Sequence, residues 1–179
     1  MRLGDNFVRI YTIIKYPKYV NAGWLAKIAN IPHTVSAQIF EPTDNTQLVS
    51  SLSKGIRQSE MEYDTAKEPI DRQRALRAIE DGNDILDKIE NKGETVGYMT
   101  LMLMVVAPDE ETLTKRCKRV ESKISGMQMK LRNTSILIRD SFKTVSPFNT
   151  VSPIISDIAR RNILFSDYMG GFPFGRWRI

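Results

Sequence analysis

His33 and Cys117 are the only histidine and the only cysteine among the chain's 179 residues. A thiol beside an imidazole can ionise and act as a nucleophile, so the pair is the first catalytic arrangement to weigh. The spacing argues against it. Cys117 falls in line with Leu113, Val120 and Ile124 at helical steps, and a cysteine on an apolar stripe behaves as a small core hydrophobe. One histidine cannot build a histidine-based zinc site or a two-histidine base system. Methionine is the next candidate ligand, because GYMTLMLMVV (residues 97–106) places Met99, Met102 and Met104 in one run. Strand alternation sends Met99 to the face opposite the other two, and no Cys or His lies nearby in sequence, so no metal site is expected there. Glu60, Glu62, Glu80, Asp81, Asp84, Asp87 and Glu90 read as a solvated helix face rather than an acid–base pair. No GxxxxGK[ST] or GxGxxG occurs, and Gly170-Gly171 runs into FPFG without the lysine and hydroxyl that grip a phosphate. The expectation is no catalytic, cofactor or metal site, and no ATP binding by this chain.

A single cysteine excludes an intramolecular disulfide and suits a reducing compartment. The opening residues MRLGDNFVRI contain no signal-peptide apolar core. The longest apolar run, Tyr98 to Ala107, covers ten residues, whereas a spanning helix needs about 20. No transmembrane segment is expected, although peripheral attachment is left open. Net charge is +5 but unevenly placed. Residues 57–113 hold 7 Lys/Arg against 14 Asp/Glu, and residues 114–179 hold 13 against 4. An acidic middle and a basic end point to self-complementary docking or to charged partners.

The elements that would position these residues follow from periodicity. FVRIYTIIKY (7–16) is a β-branched and aromatic run stopped by Pro17, a first strand. Asn21 caps a short helix with Trp24, Leu25 and Ile28 at helical spacing, and Thr34–Phe40 alternates as a second strand. Leu48, Leu52, Ile56, Ser59 and Tyr63 then step by four and three. After Pro69, Leu76, Ile79, Leu86 and Ile89 lie along one side, with Gly93 beyond them and Gly82 and Asn83 weakening the middle. Two narrow stripes with charged backs predict an antiparallel helical hairpin over about residues 45–93. The methionine run is the third strand. Asp109 caps the clearest helix of the chain, with Gly126 at its C′ position, and MQMKLR is a fourth strand. For 136–145 a strand and a short helix presenting Ile138, Phe142 and Val145 are both open, the helix preferred.

This order makes an α+β fold of split β-α-β (ferredoxin-like) type, with the helical hairpin inserted between the second and third strands. Residues 1–145 form the main domain and 146–179 a C-terminal linker. Such a sheet carries helices on one face, so its strands should be apolar on one side only. The third strand breaks that rule: Met99, Leu101, Leu103 and Val105 line one side, Tyr98, Met102, Met104 and Val106 the other. The hairpin folds back over the second side, or the strand is a well-flanked central one, or the face receives a neighbouring domain or protein. On the last reading Tyr98, Met102 and Met104, with Phe172 and Phe174 of the tail, are the candidate interaction surface. Lys115, Arg116, Lys118 and Arg119 form a candidate basic patch for phosphates. The third strand lacks the stacking aromatics of an RNA-binding sheet, so nucleic acid is the alternative partner rather than the first.

YPKYVNAGWLAKI, VSAQIFEPTDNTQLVSSL, SFKTVSPF and GGFPF, in this order, carry a resemblance. Over roughly Phe7 to Phe174 the chain resembles the N-terminal region of TrbE/TraC/CagE-type conjugative-transfer ATPases of type IV secretion, especially those of Gram-positive plasmids and transposons. The shared pattern is Tyr-Pro ending the first strand, Gly23-Trp24-Leu25 opening a helix and Glu41-Pro42 before a helical stretch. Phe142 to Pro147 and a Phe-Pro-Phe then follow. In that family a RecA-like motor with the phosphate loop follows this point, so the resemblance implies a truncated piece or a detached N-terminal domain without its motor. It implies a non-catalytic docking and oligomerisation module, cytoplasmic and peripheral to the inner face of the cell membrane. Its partners would be inner-membrane conjugation-channel proteins and the motor domain.

Overall fold

The computed structural model of the chain describes residues 1–17, 20–148 and 150–171, the side chain of Gln47 excepted. In chain order the elements are β1 (Arg2–Leu3), β2 (Asn6–Lys15), α1 (Trp24–Ala29), β3 (Thr34–Pro42), α2 (Asn45–Thr65), α3 (Pro69–Glu90) and β4 (Val96–Ala107). Then follow α4 (Glu110–Gly126), β5 (Lys130–Asn133), a 3-10 turn (Ser135–Leu137), α5 (Ile138–Val145), α6 (Pro153–Ala159), β6 (Arg161–Leu164) and α7 (Phe165–Gly171). The class is α+β. The chain divides into a larger unit, Met1–Glu41 with Tyr98–Ile163 and residues from Asp167 on, and a smaller one, Pro42–Gly97 with Leu164–Ser166.

The sheet runs β1-β2-β4-β3, with β5 also on β2 and β6 also on β4. β2 is antiparallel to β4, Phe7 opposite Ala107 through Thr12 opposite Met102, and antiparallel to β5 from Tyr11 to Lys15. Alternation along β2 and β4 divides their side chains between two cores. On the first face Tyr11, Ile13, Met99, Leu101, Leu103 and Val105 meet Trp24, Leu25 and Ile28 of α1, the α4 stripe and Tyr168 of α7. The α4 stripe is the expected one: Leu113, Cys117, Val120 and Ile124 are all buried. The Asp109 carboxylate caps it by accepting from Thr112 N at 2.7 Å, and that bond holds the carboxyl below the usual carboxylate range. Gly126 stays within the helix. The left-handed residue that turns the chain out is Gln128, at φ 59°, so the C′ assignment shifts by two positions.

The second face settles what lies over the methionines. Val8 and Ile10 of β2 with Met102 and Met104 of β4 are covered by Val145 of α5 and by Ile155 and Ala159 of α6, with Phe142 and Ile138 against them. The cover is therefore neither the hairpin nor a neighbouring protein, and β4 is the central strand between β2 and β3. Residues 138–145 are helical, as preferred. Residues 153–171, within the stretch read as a linker, fold as α6, β6 and α7. Gly171 shows how closely α7 seats: an added Cβ would stand 2.4 Å from Trp24 Nε1 and 2.8 Å from Leu25. The Gly170 carbonyl accepts from Gly23 N at 2.8 Å, while a Cβ on Gly170 would meet nothing, so of the two glycines Gly171 is the one that packing requires.

The smaller unit is built on the hairpin. Asp44 caps α2 by accepting from Thr46 N, and Pro69 occupies the first turn of α3, where its missing N–H is not needed. Leu48, Val49, Leu52 and Ile85 gather around Ile89, Val96 and Leu164. The contact line of α3 is Ala75, Gly82 and Ile89. Leu76, expected on it, is 41% exposed. Gly82 instead sits against α2, where a Cβ would come 2.7 Å from Ile56 Cγ1.

Two outcomes check these packings in urea unfolding. Gly82→Leu should destabilise by about 1–3 kcal/mol through overpacking. Combining it with Ile56→Ala should recover part of that loss, giving a coupling above about 0.5 kcal/mol. Met102→Ala should cost about 2–5 kcal/mol, as a cavity in a covered core does. A value near zero would show that face to be open.

Candidate interaction surface

The residues proposed as an interaction surface separate in the folded chain. Met102 is 0% exposed and Met104 8%, so neither is offered to a partner while α5 and α6 stand over them. Phe172 and Phe174 lie outside the described residues. Tyr98 remains half-buried at the near end of β4. The Arg160 guanidinium stacks over its ring at 4.3 Å, and Arg160 Nη2 donates to Glu41 Oε1 at 3.0 Å. Arg160 Nε and Glu41 Oε2 are both buried without a hydrogen-bond partner among the described residues. Arg161 beside it donates twice to the Ile14 carbonyl, at 3.1 and 2.9 Å. This cluster was not legible in sequence, since residue 160 lies 119 positions from residue 41.

The basic patch is smaller than its formal charge. Lys115 is paired with Glu111 at 2.6 Å, and Arg116 reaches back to donate to the Val106 carbonyl at the end of β4. Lys118 and Arg119 stay on the exposed side of α4. Around the same helix the Tyr11 hydroxyl donates to Glu121 Oε1 at 2.8 Å. Burial first, then hydrogen bonding to Cys117 and Glu121, pushes the Tyr11 phenol well above its ordinary pKa. Tyr11 and Cys117 are thus core residues of the first face. His33 is exposed, at φ 60° just before β3, and its carbonyl accepts from Val106 N. A buried thiol and a surface imidazole do not make a reactive dyad. Among the described residues, no group of three or more His, Cys, Asp or Glu side chains could hold a metal ion.

What is exposed and apolar lies elsewhere. In the larger unit Ile136 on the 3-10 turn is 98% exposed, with Phe148 and Ile154 after it. In the smaller unit Met61, Ile70 and Leu76 are exposed along the hairpin. At its tip a cavity of about 330 Å³ is lined by Tyr63, Ala66, Pro69, Arg72 and Leu76, with the Arg72 guanidinium 5.4 Å from the Tyr63 ring centre. Helical phase marks Ile70 as outward; it does not do so for Ile136, which precedes its helix. These positions offer contact area, and Lys67, Glu68 and Gln73, which also line the cavity, add charged and polar groups. Among the described residues no helix is long and apolar enough to cross a membrane.

No curated protein matches the sequence. The family described as CagE, TrbE, VirB, component of type IV transporter system, matches residues 2–142, from β1 into α5. That span takes in strands β1 to β5, the hairpin and α4, and so the chain belongs to the CagE, TrbE, VirB family of type IV transporter components.

Proposed function

We propose that this chain is a non-catalytic docking and oligomerisation module of a conjugative type IV secretion ATPase. On this reading it works at the inner face of the cell membrane and contacts inner-membrane transfer proteins on one side and the ATPase motor domain on the other. The observation that carries the reading is the family match across residues 2–142 in a sequence with no phosphate-binding loop. The fold proposed is the split β-α-β type. Its four main strands stand in the order β5-β2-β4-β3, in chain order fourth, first, third, second, and the hairpin α2–α3 is inserted between β3 and β4. α5 and α6 are additions on the sheet's second face, and they turn a two-layer arrangement into one with helices on both sides.

The surface supports contact rather than turnover. Exposed apolar side chains at Ile136, Phe148, Met61 and Ile70 are the kind of feature that marks protein contact. A nucleic-acid reading keeps only Lys118 and Arg119 of its four cations free of the contacts described above, a small footprint for phosphate neutralisation.

Purified protein should hydrolyse no ATP and show no change in Tm with nucleotide. Nucleotide bound at about 100 times its Kd would add about 2.7 kcal/mol, or roughly 5–10 °C for a chain of this length. A shift of that size would overturn the proposal. In cells that make the inner-membrane transfer proteins, the chain should co-purify with them, and from membranes lacking them it should not. Equal recovery from both would also count against the docking role. A salt-dependent DNA complex lost in the Lys118→Ala/Arg119→Ala variant would put the nucleic-acid reading in its place.

A further inference from the structure

The sheet leaves one long edge open. β3 stands at the end of the strand order, beyond β4, and no further strand pairs with it among the described residues. The opposite edge is blunted by short, charged and irregular strands, the usual guards against unwanted pairing. β1 is two residues long, and β5 is four residues with Lys130 and Arg132 on it, joined to β2 through a register shift between Ile13 and Lys15. β3 has none of these guards. Its nine residues begin with Thr34–Phe40, TVSAQIF, a run without charge, glycine or proline. That is the composition that templates strand pairing.

Hydrogen bonds fix which backbone groups of β3 face outward. Val106 N donates to the His33 carbonyl, and Thr43 N donates to the Val96 carbonyl. Both contacts belong to one antiparallel register. The odd-numbered residues of β3 therefore turn their N–H and C=O to β4, and the even-numbered ones turn theirs to the open edge. On that side Ser36 and Gln38 have no backbone partner among the described residues. Side chains alternate with the same period. Ala37 packs with Met102 and Met104 on the sheet's second face, yet Val35, on the same side of the strand, is 45% exposed.

We propose that two copies of this chain pair edge to edge, β3 antiparallel to the second copy's β3 about a twofold axis at Ala37, so that two sheets become one. The inference rests on reading the chain as an oligomerising module and names that module's homotypic contact. In this register Ser36 and the second copy's Gln38 exchange both of their backbone bonds, and symmetry repeats the pair. Val35 lies opposite the second copy's Ile39, which covers its exposed side chain. Ala37 meets its own symmetry mate. Its small side chain suits a non-hydrogen-bonded pair, where Cα atoms stand about 4.5 Å apart. Moving the axis to Gln38 would set Val35 against the second copy's Glu41, and moving it to Ser36 would set Ile39 against the second copy's His33. Only the axis at Ala37 matches apolar with apolar along that side of the strand. TVSAQIF is thus complementary to itself, which selects a second copy as the occupant of the edge.

Sedimentation velocity of the whole chain should show a concentration-dependent dimer that persists from about 50 to about 500 mM salt, because the paired segment carries no charge. Gln38→Pro removes an outward N–H and leaves the ladder to β4 whole, and Val35→Lys sets a charge on the edge. Each should weaken self-association at least about tenfold, and circular dichroism should show both folded. Cross-linking reads the register, since the native Cys117 is buried and does not compete. Under a mild oxidant Ala37→Cys should form a covalent dimer, its two copies facing each other within disulfide reach. The two copies of Val35→Cys stand about 13 Å apart along the strands and should not. A parent that stays monomeric, edge variants that associate like the parent, or Val35→Cys cross-linking as readily as Ala37→Cys would each overturn the inference. Co-purification with membrane partners should persist in all variants. A monomeric parent whose capture is lost in Val35→Lys would give the edge to a strand of another protein. Should self-association prove absent while capture remains in every variant, the pairing falls and the docking role stands.

Discussion

β4 is apolar on both of its sides, and that one property dictates how the larger unit is built. A strand with Leu101, Leu103 and Val105 on one face and Met102 and Met104 on the other cannot lie at a solvated surface. It must sit inside the sheet, which β2 and β3 provide, and it must be covered above and below. The first cover is substantial: a 17-residue helix, α4, with α1 and α7 beside it. The second is made of two short helices, α5 and α6. Neither face is fully satisfied: Tyr16 Oη and Trp24 Nε1 on the first, and the Thr100 and Ser141 hydroxyls on the second, are buried without a partner among the described residues. Flexible methionine side chains suit the second layer, since they fill irregular space left by short elements.

The hairpin solves a different problem. A pair of helices with narrow apolar seams buries little by itself, and close approach compensates. Gly82 removes the side chain that would otherwise hold α3 away from Ile56. The gain in contact offsets the roughly 1 kcal/mol by which glycine weakens a helix interior. Because the seam is narrow, most of each helix surface is left to carry charge, as in the Arg74–Asp71 pair on α3.

Periodicity alone revealed β2 to β5, the hairpin, the break at Pro69 and the α4 stripe, because in those segments local preference and tertiary contact agree; it revealed neither β1 nor β6. Where it failed, a contact distant in sequence decided the outcome. Leu76 is in phase with a stripe, yet the line of closest approach is fixed by a glycine that no hydrophobicity count rewards. Part of the cover for Met102 and Met104 comes from PIISDIA, seven residues with too few turns to declare a period. Arg116 counts as a surface cation by composition, but its guanidinium is occupied by the Val106 carbonyl. Of the residues read as an interaction surface, Tyr98 alone stays partly exposed among those described, and its true partner, Arg160, had no signal linking the two.

Glu41 is the last residue of the larger unit before the hairpin excursion and Tyr98 the first after it, and Arg160 touches both. The two ends of the excursion are therefore clasped together from within the sheet domain. A segment spliced in between clasped ends can be lengthened or resurfaced without asking the sheet to reopen.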